Sequence, residues 1–90
     1  MEKVIITVVG RDTVGIIARV CTYLSDKHVN VEDISQTIVQ GYFNMMMIVN
    51  IAKSTASFAE MASEMDKIGD ELGVKIHCQR EEIFDRMHRI

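Results

Sequence analysis

A chain of 90 residues with 48% apolar content, a net charge of −3 and no proline is one compact domain with a single thin core and no linker or low-complexity tract. The acidic balance and the lack of a basic stripe argue against a nucleic-acid surface. No signal peptide and no apolar run long enough to span a bilayer are visible, so no membrane association and a cytoplasmic location are expected.

Residues 3–9 are apolar on both faces of a strand, as in the middle of a sheet covered on each side. A loop then runs from Gly10 to Gly15, and Asp12 or Thr13 can cap the helix after it. On that helix Ile17, Val20, Cys21 and Leu24 form the inward stripe, with Ile16 beside it. Asn30–Val39 reads as a second strand with Ile34, Gln36 and Ile38 on one face. The odd spacing from Val31 to Ile34 predicts a bulge or a late strand start. Gln40-Gly41 forms a turn, and a third strand over Phe43–Ile51 places Ile38 opposite Phe43 and Ile34 opposite Met47. Ser57 and Glu60 have capping-box spacing. Phe58, Met61, Met65, Ile68 and Leu72 mark a second helix, Gly73 closes it, and Val74, Ile76 and Cys78 alternate as a fourth strand. From Glu81 a short C-terminal helix is predicted, with Ile83, Phe84, Met87 and Ile90 as an apolar surface that must dock on its own sheet or on a second copy.

The order β-α-β-β-α-β with right-handed crossovers predicts an α+β, ferredoxin-like domain: an antiparallel sheet of order 4-1-3-2 with both helices on one face. Residues 1–80 are the core and 81–90 the tail of a single domain. The second strand is an open edge that invites pairing, so a homodimer is expected.

The loop has the spacing G-x-x-x-x-G, but Ile16 and Ile17 stand where a nucleotide phosphate loop needs Lys and Ser/Thr. What remains is a helix start whose free N–H groups suit a small anion. His77 and Cys78 are strand neighbours and point to opposite faces, His28 and Cys21 lack a third ligand, and Met45–Met47 reads as core. The cysteines read as two buried, reduced thiols. No metal, cofactor or catalytic constellation is expected.

The residues Ile5-Ile-Thr-Val-Val-Gly-Arg-Asp-Thr-Val-Gly-Ile-Ile-Ala18, followed by Val29-Asn-Val-Glu-Asp-Ile34, resemble an ACT domain, a small regulatory module that binds amino acids or similar ligands, usually at a dimer interface. The closing Ile83-Phe-Asp-Arg-Met-His-Arg-Ile90 further resembles the small stand-alone ACT proteins of bacteria and archaea (UPF0237-like), which are similar to glycine-cleavage-repressor regulators. The resemblance implies a ligand site of Gly10, Arg11, Asp12, Thr13, Val14, Gly15 and Ile16, with the ligand carboxylate at the helix start and Asn30 contributed by the neighbouring subunit. It implies a metabolic sensor of a small molecule, an amino acid first. Val14 departs from the Pro or Arg often found before the glycine. Asp12 also reads as a plain N-cap and Asn30 as the end of a turn. Two other functions stay open. Gly15–Arg19 resembles the acylphosphatase loop, with Arg19 and Asn44 as the candidate phosphate and water residues of a hydrolase; alternatively, the domain binds a protein partner and no small ligand.

Overall fold

Runs of Ile and Val with period two build the strands, and two amphipathic segments fold back across one face of the sheet they form. The computed structural model describes residues 2–11 and 13–80. The elements are β1 (Lys3–Arg11), α1 (Ile16–Asp26), β2 (Asn30–Val39), β3 (Tyr42–Asn50), α2 (Phe58–Leu72) and β4 (Val74–Arg80). The sheet order is β2-β3-β1-β4, all antiparallel, the ferredoxin-like plan expected. The predicted helix over 81–90 lies outside the described residues.

One face of the sheet carries Val4, Ile6 and Val8 of β1, Phe43, Met45, Met47 and Val49 of β3, and Val74 and Ile76 of β4. These pack with Ile16, Val20, Tyr23 and Leu24 of α1 and Met61, Met65 and Ile68 of α2 in one core. Met46, between two buried methionines, turns to the other face and is 39% exposed. The β2–β3 hairpin has the expected register, Ile38 against Phe43 and Ile34 against Met47, with a bulge between Val31 and Asp33. Gln40 and Gly41 both have positive φ, 51° and 82°. Those are the dihedrals of a type I′ turn, whose twist suits a two-residue hairpin.

Three expectations near the glycine loop need correction. β1 continues two residues beyond the expected end, so Gly10 belongs to the strand and not to the loop. It faces Phe43 and Val74, and a Cβ there would stand 2.8 Å from Val74 Cγ1. Gly10 is therefore required by packing. Thr13 does not cap α1; its hydroxyl donates to Arg11 O at 3.3 Å, and the N-cap is Gly15. The helix is also rotated relative to the expected stripe. Ile16 and Tyr23 are buried, Ile17 is 36% exposed, and Cys21 is only half-buried. One residue of phase separates the two readings, and adjacent isoleucines give the period no means of choosing. α2 is as expected, with the reciprocal Ser57–Glu60 box and Gly73 in the left-handed region.

Candidate ligand-binding site

The two helices begin differently. At α2, Glu60 N–H donates to Ser57 Oγ at 3.1 Å and Ser57 N–H donates to Glu60 Oε1 at 3.0 Å. The Ser57 N–H, aided by its hydroxyl, holds the Glu60 carboxyl below its ordinary value. At α1 the N-cap is Gly15 with φ 91°, no described side chain caps it, and the first turn carries no acid. Among the described residues, the N–H groups of Ile16, Ile17 and Ala18 meet no side-chain acceptor. That leaves donors and the positive end of the helix dipole facing outward, which suits an anion. Val14 beside them is 98% exposed.

Asn30 is not part of this loop within one chain. It opens β2 opposite Asn50, which in turn pairs with Lys3 at the start of β1. Arg11 pairs with Tyr42, the partner of Val39, at the other end. Eight strand steps separate the two ends of β1, about 26 Å. The Asn30 end has a cleft of its own, about 330 Å3, lined by His28, Asn30, Asn50, Ala52 and Lys53. Sequence reasoning missed His28 and Lys53 as neighbours of Asn30. His28 sits at φ 59°, where glycine is easier by about 1 kcal/mol; no sequence pattern marks a histidine held there.

The acylphosphatase-like pair is not assembled. Arg19 is on α1, where its Nη2 contacts Glu71 Oε1 of α2 at 3.3 Å. Asn44 lies on the opposite sheet face, between Val9 and Thr37. His77 likewise faces away from the helices opposite Thr7, whereas Cys78 packs against the core, where burial pushes its thiol up to about 12. Among the described residues no group of three or more His, Cys, Asp or Glu could hold a metal ion. No described helix is long and apolar enough to cross a membrane.

A βαββαβ domain with a glycine-led first helix and an open edge strand is a small ferredoxin-like module. The chain belongs to the ACT domain family, whose model matches residues 2–79. It is 66% identical over 90 residues to a UPF0237 protein of Bifidobacterium longum, covering 100% of both chains. An ACT domain protein from Streptococcus pneumoniae has a similar structure, with a TM-score of 0.79 at 40% identity, covering 91% of this chain and 92% of that one. A putative glycine cleavage system transcriptional repressor shares the fold, with a TM-score of 0.75 at 18% identity over 88% of this chain and 45% of its own.

Proposed function

We propose that this domain is a non-catalytic, cytoplasmic sensor that binds an amino acid between two copies of the chain. The observation that carries the reading is the first turn of α1 beside Gly15, which no described side chain caps. Its amides meet the ligand carboxylate. Arg11, Asp12, Thr13, Val14 and Ile16 surround it, and the Asp12 carboxylate accepts from the ligand ammonium.

The edge strand supports the shared site. All ten residues of β2 are exposed, and Val31, Ile34, Ile38 and Val39 are 37–61% exposed. A long open edge with apolar side chains is a template for another strand. A two-fold axis through the middle of β2 pairs the two edges antiparallel. The partner subunit's Asn30 then comes level with Val39, at the end of the sheet where the glycine loop lies. Symmetry thereby removes the separation along the strands, and the loop and the ligand span the three strand spacings, about 14 Å, between β1 and the partner's β2. Ligand at such a junction favours one subunit arrangement by its differential affinity.

A thermal-shift panel of the twenty amino acids tests the reading. A ligand at a hundredfold excess over its Kd adds about 2.7 kcal/mol to stability. The expected result is a shift with one chemical class, lost in Asp12→Ala. A panel with no shift overturns it.

A further inference from the structure

The cleft at the start of β2 lies between two hydrogen-bonded turns. α1 ends in a Schellman turn: Val29 N–H donates to Leu24 O at 2.9 Å and His28 N–H to Ser25 O at 3.1 Å. Such a turn places its next-to-last residue in the left-handed region, usually as glycine. Here that residue is His28, which lines the cleft. On the other side, the β3–α2 loop is fixed by Thr55 N–H to Lys27 O at 2.9 Å, Ser54 N–H to Ile51 O at 3.0 Å and Ala52 N–H to Asn50 Oδ1 at 2.9 Å. That loop carries Lys53 into the lining.

The lining is rich in donors. His28, Asn30, Asn50 and Lys53 all carry N–H groups, and no carboxylate is among the described lining residues. Asn50 is engaged, its Nδ2 donating to Glu32 Oε2 at 3.2 Å. Glu32 in turn contacts Lys3 Nζ at 3.1 Å, which offsets its negative charge. The side chains of His28, Asn30 and Lys53 enter no hydrogen bond or ion pair among the described residues. The amides of residues 27–29 are all occupied within the end of the helix. An anion here must be met by side chains, and the three that are unengaged include an ammonium. A volume of about 330 Å3 accommodates a carboxylate with a short carbon chain.

We propose that this cleft takes a second carboxylate, so that the ligand is a dicarboxylic amino acid. Its main-chain carboxylate lies at the α1 start of one subunit. Its side-chain carboxylate reaches the partner's His28, the partner's Asn30 and the partner's Lys53. This rests on the two-subunit reading above and adds the ligand's class to it. Lys53 supplies the charge, and Asn30 and His28 supply directed N–H groups. A neutral amino acid forgoes the charge-assisted contact with Lys53, which gives discrimination.

Calorimetric titration of the full chain with L-aspartate, L-glutamate, L-alanine and L-valine tests this, alongside the variants Lys53→Gln and His28→Gly. At least one acidic probe is expected to bind about tenfold or more tighter than the neutral ones. In Lys53→Gln that preference collapses by about the same factor. His28→Gly is expected to raise the urea midpoint, because glycine relieves the left-handed strain, while weakening the acidic probe. That opposite movement is one a purely structural histidine would not give. Neutral probes binding as tightly as acidic ones, or a preference untouched by Lys53→Gln, overturn the dicarboxylate assignment and leave the two-subunit sensor standing. Binding of none of the four probes, together with a flat amino-acid panel, overturns both.

Discussion

Gly10 of β1 and Val74 of β4 face each other so closely that a single added Cβ on the glycine would come within 2.8 Å of Val74 Cγ1 and 2.9 Å of Val74 Cβ. Val74 is also approached from the helix layer, since a Cβ on Gly69 would stand 2.7 Å from its carbonyl oxygen. Two glycines therefore set where β4 lies against both β1 and α2. Gly10 is thus a packing residue of β1, whereas Gly15 at the start of α1 has nothing within 4 Å of an added Cβ, so the two glycines of the sequence motif do different work.

Substitution separates the two roles. Gly10→Ala is expected to lower stability by about 1–3 kcal/mol through overpacking. Gly15 has open space around it and φ 91°, so Gly15→Ala costs roughly 1–2 kcal/mol through backbone strain alone. Asparagine tolerates the left-handed region. Urea melts should thus find Gly15→Asn milder than Gly15→Ala and Gly10→Asn worse than Gly10→Ala. The same order at both positions would remove the distinction.

Tyr23 links the two helices. Its hydroxyl donates to Glu64 Oε1 at 2.6 Å while the ring is 7% exposed in the core. Burial first, then the Glu64 carboxylate, pushes the phenol well above its ordinary value, so it remains a donor. Tyr23→Phe is expected to cost about 1.5 kcal/mol, the range for a bond to a charged acceptor. In a double-mutant cycle with Glu64→Gln the losses should not add. Additive losses would mean that the bond contributes nothing.

Much of this fold is legible because two periods dominate the chain. Met45, Met46 and Met47 alternate in, out and in as a strand must. The unequal spacing of Val31 and Ile34 reports the bulge, and Ser57 with Glu60 reports the start of α2. The errors share a physical origin. Gly10 reads as a loop residue because its constraint is Val74, far along the chain. Ile16 and Ile17 are chemically alike, so only tertiary packing chooses which one enters the core. Tyr23 escapes an apolar stripe because its hydroxyl finds Glu64 on the other helix. At the site, Gly15 and Asn30 are legible as motif residues. His28 and Lys53 become neighbours of Asn30 only when the ends of α1 and β3 fold to the same side.

The capping box gives a pH signature. Hydrogen bonds from Ser57 hold the Glu60 carboxyl below its ordinary value of 4.5. A lowered folded-state value means that the charged form stabilises the fold. That contribution is complete above the unfolded value and is lost as pH falls through the folded one. Glu60→Gln keeps an acceptor at the same position without the charge. The stability difference between the parent chain and Glu60→Gln should be constant at neutral pH and shrink on acidification below about 4.5. A difference independent of pH would show that the charge is irrelevant to the cap.

The open edge makes the last test. Ile34 and Ile38 of β2 lie on the helix-side face of the sheet, where they are 43% and 58% exposed. Replacing both by Lys removes only partly buried apolar surface, so the isolated fold should lose little. Across an edge-to-edge contact with Asn30 level with Val39, Ile38 lies level with the partner subunit's Val31 and Ile34 lies beside the two-fold axis, so the lysines put charge into the apolar seam and oppose pairing. Sedimentation at micromolar concentration is expected to give a dimer for the parent chain and a monomer for Ile34→Lys/Ile38→Lys. The parent's melting temperature should rise with concentration, and the variant's should not. If the variant still sediments as a dimer, the subunits meet elsewhere. The sharing of a site between the glycine loop and the partner subunit's Asn30 would then lose its support, because it is the pairing along β2 that brings those two ends of the sheet level here.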